Sequence, residues 1–231
     1  MWDIKYLIQD LLRARNFQQF INNRFKSDLC PSPIDRNLVE RVVLSDGNMY
    51  YTDPDYDTIA ESYFDYNISE LDSDMIVLDI GANVGGFTLR AARKAKHVYA
   101  VEPVMGEYLR KNIALNDVAN ITQLDCGVGI EGVCAIEWHG AINNCAVYPL
   151  DEIICMCGGE IDFLKIDCEG CEHSIQKHHL KGIQYIEGEL HNFTGVHPFS
   201  DFCNMLDSCG FDYTLDVHYA GDTALLHAYR R

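Results

Sequence analysis

The chain has 231 residues, 48% apolar and 23% charged, with a formal net charge of -17. That length suits one large domain with a substantial core, and the acidic balance argues against a protein that grips a nucleic-acid backbone, where Lys and Arg must replace counterions. No apolar stretch approaches the roughly 20 residues needed to span a bilayer, and Met1-Trp2-Asp3-Ile4-Lys5 lacks the features of a signal peptide, so the expected location is cytoplasmic.

Residues 3–26 place Ile4, Leu7, Ile8, Leu11, Leu12, Phe17, Phe20 and Ile21 at helical spacing, which predicts an amphipathic helix. Residues 1–26 carry a net charge of +3, which leaves -20 for the rest. Such a stripe can touch a membrane or a partner, but packing on its own domain is the expectation. Cys30-Pro31-Ser32-Pro33 ends the helical pattern. Residues 38–51 predict a β-hairpin around Asp46-Gly47. Residues 56–71 predict a helix with Ile59, Tyr63, Phe64 and Leu71 facing inward. Residues 1–72 are thus expected to form a helical and hairpin extension that packs on a domain spanning 73–231.

From residue 75 the pattern alternates. Short apolar runs at 75–80, 97–102, 121–124, 161–167 and 183–190 predict strands, with helical stretches at 86–95, 106–116 and 199–209. Residues 131–148 predict a β excursion, and 211–218 with 223–229 a closing antiparallel pair. The expected fold class is α/β, a doubly wound and mostly parallel sheet with helices on both faces.

Ligands of such folds bind at the carboxyl ends of the strands. The first strand runs through Val77-Leu78-Asp79-Ile80 into Gly81-Ala82-Asn83-Val84-Gly85-Gly86, where glycines let backbone approach a ligand. The spacing is not the G-x-G-x-x-G of a pyrophosphate site, and Asp79 would repel a pyrophosphate. It would suit a ligand with a cationic amino-acid end, such as S-adenosylmethionine. Glu102 ends the second strand, where an acid can accept hydrogen bonds from ribose hydroxyls. These residues resemble class I S-adenosylmethionine-dependent methyltransferases, which have a Rossmann-like, seven-stranded sheet. The resemblance implies that Asp79, Gly81, Asn83, Gly85 and Glu102 contact the cofactor. It puts Asp125 or its neighbour Cys126 where the adenine lies, although a capping Asp accounts for Asp125 equally well.

A second motif, Leu164-Lys165-Ile166-Asp167-Cys168-Glu169-Gly170-Cys171-Glu172, puts Asp167 at the tip of the fourth strand and Glu169 and Glu172 at the start of the next helix. Glu172 there reads as favourable charge at a helix N-terminus. "LDIGANVGGFT" and "LKIDCEGCE" together resemble the FkbM family of methyltransferases over about residues 55–195, with Glu61 and Glu189-Leu190-His191 as supporting matches. Known members are mostly O-methyltransferases of sugars, polyketides or other small metabolites. The resemblance implies in-line methyl transfer to a small-molecule hydroxyl. Candidates for general base are Asp167, Glu169, Glu189 and His191, each able to add about 10²–10⁴-fold. The same four side chains could hold Mg²⁺ or Mn²⁺, but a metal-free site is the favoured reading. An RNA or protein methyltransferase, suggested by Leu109-x-x-Asn112-Ile113-x-Leu115-Asn116, is the alternative, followed by a non-catalytic binding protein.

Ten cysteines, without a signal peptide, are expected to be free thiols in or near the core. Cys168-x-x-Cys171 and Cys155-x-Cys157 have plausible zinc spacing, but the strand-to-helix geometry around Cys168 argues against it. Tyr50, Tyr51, Tyr63, Trp138 and Phe193 could wall a substrate pocket, although core positions are the commoner use of such residues.

Overall fold

The structure, a computed structural model, describes residues 41–44, 46–51, 59, 65–138, 141–192, 199–218 and 222–231. The expected helix at 3–26, the proline break after Cys30, and Glu61, Tyr63, Phe64 and Phe193 lie outside them.

Arg41–Val43 (β1) and Met49–Tyr51 (β2) form the hairpin predicted around Asp46-Gly47. The main sheet is built from Ile76–Ile80 (β3), His97–Val101 (β4), Ile121–Leu124 (β5), Phe163–Ile166 (β9), Tyr185–His191 (β10), Phe211–His218 (β11) and Thr223–Arg230 (β12). Between β5 and β9 the chain makes Gly127–Val128 (β6), Gly132–Trp138 (β7) and Ala141–Tyr148 (β8), a separate three-stranded sheet that realises the expected excursion. The helices are Gly86–Ala92 (α1), Gly106–Asn116 (α2), Leu150–Met156 (α3) and Phe199–Ser208 (α4).

The order across the main sheet is β11-β12-β10-β9-β3-β4-β5. The five strands from β10 to β5 are parallel, and β12 enters antiparallel between β10 and β11. Side chains alternate between faces along each strand. Leu78, Ile80, Leu164, Ile166, Ile186 and Leu190 pack with Ile153 of α3 and Phe202 and Leu206 of α4. Val77, Val98 and Phe163 point the other way, onto Phe87 and Ala91 of α1. Covering both faces explains why these strands read as apolar runs. The order reverses at β3, so the tips of β3, β4 and β9 border the switch point where ligands of this architecture bind.

Two local expectations are corrected. Residues 65–71 form bends and turns rather than the end of a helix. Asn67 Oδ1 accepts the Ser69 N–H and Asp72 Oδ1 accepts the Asp74 N–H, side-chain bonds that compete with helix formation. After β9, the residues following Asp167 form only a short 3₁₀ turn, Cys171–Ser174. Glu169 and Gly170 are left-handed (φ +55° and +109°) and Ile175 is extended, so no α-helix propagates.

Candidate functional site

At the tip of β3 the backbone turns sharply. The Gly81 and Ala82 N–H groups donate to the Val101 carbonyl of β4. Gly81 has φ +76°, and a Cβ there would fall inside the Asp167 carbonyl oxygen. The turn of β3 and the tip of β9 are therefore in direct backbone contact, which only glycine permits. Gly85 also has positive φ (+95°), and a Cβ would press within 2.8 Å of Leu109 Cδ1 on α2.

Glu102 organises this turn. Its Oε1 accepts the Val104 and Met105 N–H groups at 2.7 and 2.8 Å, and its Oε2 accepts the Asn83 N–H at 2.7 Å. Burial pushes this carboxyl up, and the three backbone donors pull it back. A carboxylate oxygen has two lone pairs, so one acceptor position remains, on Oε2. Asn83 is left-handed (φ +49°), and its Oδ1 is buried without a hydrogen-bond partner among the described residues.

Asp79 lies beneath the turn rather than at its surface. It is fully buried; Thr88 Oγ1 donates to Oδ2 at 2.5 Å, and Oδ1 faces Lys165 Nζ at 3.3 Å, close enough for an ion pair but not aligned as a hydrogen bond. Lys165 Nζ also donates to the Gly81 carbonyl at 2.7 Å. Burial raises the Asp79 carboxyl, and Lys165 and Thr88 oppose the rise. Register extends this pair across the sheet: Asp79 lies beside Lys165, Lys165 beside Glu187, and Glu187 beside His227. Glu187 Oε2 accepts from His227 Nδ1 at 2.6 Å and from the Asn67 N–H at 2.8 Å. Asp125 is exposed, bound by Arg110 at 2.6 Å and by Gln123. Cys126 is buried, which pushes its thiol up to about 11.

The structure brings Asp167, Glu169, Glu189 and His191 together at the tips of β9 and β10. Asp167 Oδ2 accepts from buried Tyr66 at 3.0 Å and lies 3.8 Å from Lys165 Nζ. His191 Nε2 is 3.6 Å from Glu169 and 3.9 Å from Glu189. On its other side, Glu172 Oε1 faces His191 Nδ1 at 3.0 Å and accepts the His191 N–H at 2.7 Å; Oε2 accepts the Gly170 N–H at 2.9 Å. Burial would lower the His191 imidazole, but Glu172, Glu169 and Glu189 outweigh it and raise it to about 9. His191 is therefore an imidazolium at neutral pH. Burial, then Asp167, raises Glu189; burial also raises Glu169. Asp167, Glu189 and His191 each bring a donor atom within 4.8 Å of the others, and so do Asp151, His178 and His179. In the latter group His179 Nδ1 accepts the Gln176 N–H, so its Nε2 carries the proton and has no lone pair for a metal.

Sequence reasoning missed four of these side chains. Glu172 is a fully buried partner of His191 rather than a helix-end charge. Tyr66 and Thr88 carry no local signal, since their partners lie on other elements. Lys165 carried one: a charged residue inside a strand that is otherwise apolar. The cysteine expectation is also corrected, because Cys168 and Cys171 are bonded to each other; the other seven described cysteines are free. Tyr50 is core, and no described helix is long and apolar enough to cross a membrane.

A switch-point glycine turn on a seven-stranded sheet of this order places the fold among Rossmann-like methyltransferases. A Streptococcus mutans methyltransferase structure in complex with SAH has a TM-score of 0.52 at 14% identity, covering 70% of this chain and 91% of that one. An rRNA methylase from Streptococcus thermophilus has a TM-score of 0.51 at 12% identity, covering 78% and 97%. The methyltransferase FkbM domain matches residues 79–213, and the chain belongs to that family. "Methyltransferase 1" of Beauveria bassiana (strain ARSEF 2860) is 29% identical over 105 residues, 41% of this chain and 42% of that protein, so the match spans less than half of that relative.

Proposed function

We propose that this chain transfers a methyl group from S-adenosylmethionine to a hydroxyl of a small molecule or sugar by in-line displacement. The observation that carries the reading is the contact across Gly81 between a turn clamped by Glu102 and a cluster of three carboxylates and a histidine. Residues 73–231 form the catalytic domain in this reading, and 1–72 the extension. The turn suits the donor: Asn83 Oδ1 is a buried acceptor without a partner among the described residues, and Glu102 keeps one acceptor position for a ribose hydroxyl. Asp79, sealed against Thr88 and Lys165, acts by setting the shape of the turn. Bound S-adenosylmethionine supplies an electrophilic methyl on a sulfonium.

The residues at the tips of β9 and β10 serve the acceptor. Asp167, held by Tyr66, fixes its hydroxyl. Glu189 takes the hydroxyl proton, since a carboxyl raised toward neutrality is the better base. His191, charged and anchored by Glu172, orients Glu169 and Glu189. Alignment of this kind can contribute about 7–11 kcal/mol. The test has two arms. Calorimetry with S-adenosylhomocysteine should show binding to the wild type, weakened about tenfold or more by Glu102→Ala. Methyl transfer from labelled donor should appear in small-metabolite fractions and not in total RNA or protein. Absence of S-adenosylhomocysteine binding would refute the donor site; labelling confined to RNA or protein would refute the acceptor class.

A further inference from the structure

The Cys168–Cys171 bond closes a loop containing only Glu169 and Gly170, with a Cα–Cα distance of 5.4 Å. That distance is normal for a disulfide. Both enclosed residues are left-handed, a conformation that a non-glycine residue such as Glu169 keeps only where its surroundings impose it. Asp167 precedes the loop and Glu172 follows Cys171 directly, and Glu169 reaches to 3.6 Å from His191 Nε2. The bridge thus straps the segment that carries Asp167, Glu169 and Glu172. Both cysteines are half-buried, so a small thiol can reach them. The other described cysteines are free, and burial pushes Cys126 and Cys157 up to about 11 and 12, away from reactivity. Among the described residues this is the only bridge and the remaining cysteines are free; in a reducing compartment such a bridge is usually transient or redox-sensing rather than a structural staple.

We propose that Cys168 and Cys171 form a thiol–disulfide exchange site whose oxidised form holds Glu169 against His191 and whose reduced form releases it. The reductant is a low-molecular-weight thiol such as glutathione. Its thiolate attacks one bridge sulfur and forms a mixed disulfide; the other cysteine leaves as a thiolate and takes a proton. A second glutathione thiolate resolves the mixed disulfide, so two electrons pass to the cysteines and glutathione disulfide is released. In the bridged form Cys168 Sγ lies 3.5 Å from Glu172 Oε2, so the S–H that reduction creates has an acceptor beside it.

The site stands whether or not the acceptor reading above is correct, and the test separates the two. The full chain is equilibrated in glutathione buffers of graded potential, trapped with iodoacetamide, and mapped by peptide mass. The peptide containing both cysteines should pass from protected to doubly alkylated in one two-electron transition, about 30 mV per tenfold change in ratio. Amide exchange of residues 168–175 should quicken several-fold over the same range, while calorimetric affinity for S-adenosylhomocysteine stays unchanged. Cys168→Ser/Cys171→Ser should exchange at the fast rate at every potential, and Cys134→Ser should keep the wild-type transition. Thiols fully alkylated in glutathione disulfide alone would overturn the proposal, as would amide exchange that ignores the bridge.

Discussion

Glu172→Gln is the sharpest test of the acceptor-side electrostatics. The substitution keeps volume but removes the charge that faces His191 Nδ1 at 3.0 Å. It also turns an amide NH₂ toward either the His191 or the Gly170 N–H, both of which now donate to Glu172. Raising His191 from 6.5 to about 9 corresponds to roughly 3 kcal/mol of preference for the imidazolium. Removing one partner of a buried pair costs about 3–5 kcal/mol. At about 2–4 °C per kcal/mol for a chain of this size, Tm should fall by roughly 6–20 °C. The sign with pH follows from the direction of each shift. His191 is raised, so its contribution is complete below the free-histidine value and lost as pH rises through about 9. Burial alone would raise Glu172, but its hydrogen bonds with His191 hold it below the usual range, so its contribution fails as pH falls through that lowered value. The Tm gap should be widest in the mildly acidic range and narrow through pH 9. Imidazole titration by NMR and calorimetric melting read both quantities. A His191 that titrates alike in variant and wild type would refute the reasoning.

Lys165→Met leaves Asp79 buried without its cation and should cost about 3–5 kcal/mol by denaturant unfolding; adding Asp79→Asn should recover much of that, and independent losses would break the pairing argument. Gly81→Ala drives a Cβ into the Asp167 carbonyl at positive φ and should abolish S-adenosylhomocysteine binding in calorimetry, so near-wild-type affinity would show that the turn does not need glycine. The rate of methyl transfer should rise with pH as Glu189 loses its proton, above the usual carboxylate range, and fall as His191 loses its own near 9; a profile flat through both limbs would remove them from the reaction. Because an imidazolium occupies the place a cation would take among Asp167, Glu169 and Glu189, a chelator should leave turnover unchanged, and loss restored by Mg²⁺ would make the cluster a metal site.

Local pattern revealed most of the sheet. Apolar runs marked strands buried on both faces, and glycine spacing after Asp79 marked the turn. What pattern could not reveal was pairing between distant elements. Nothing near Asp79 says that Lys165, 86 residues later, neutralises it. Glu172 looked like a helix-end charge because a helix was expected, and left-handed Glu169 and Gly170 prevent one. The turns around Asn67 failed as a helix prediction because side-chain oxygens captured backbone N–H groups.

The file Asp79, Lys165, Glu187, His227 alternates acid and base across four adjacent strands. Within it Lys165 and Asp79 are both buried and 3.3 Å apart, so neither can lose its charge alone without stranding the other in a dry interior. Substitutions at these two positions are therefore expected to be inherited together, and relatives that lose the lysine should be found to have lost the acid as well.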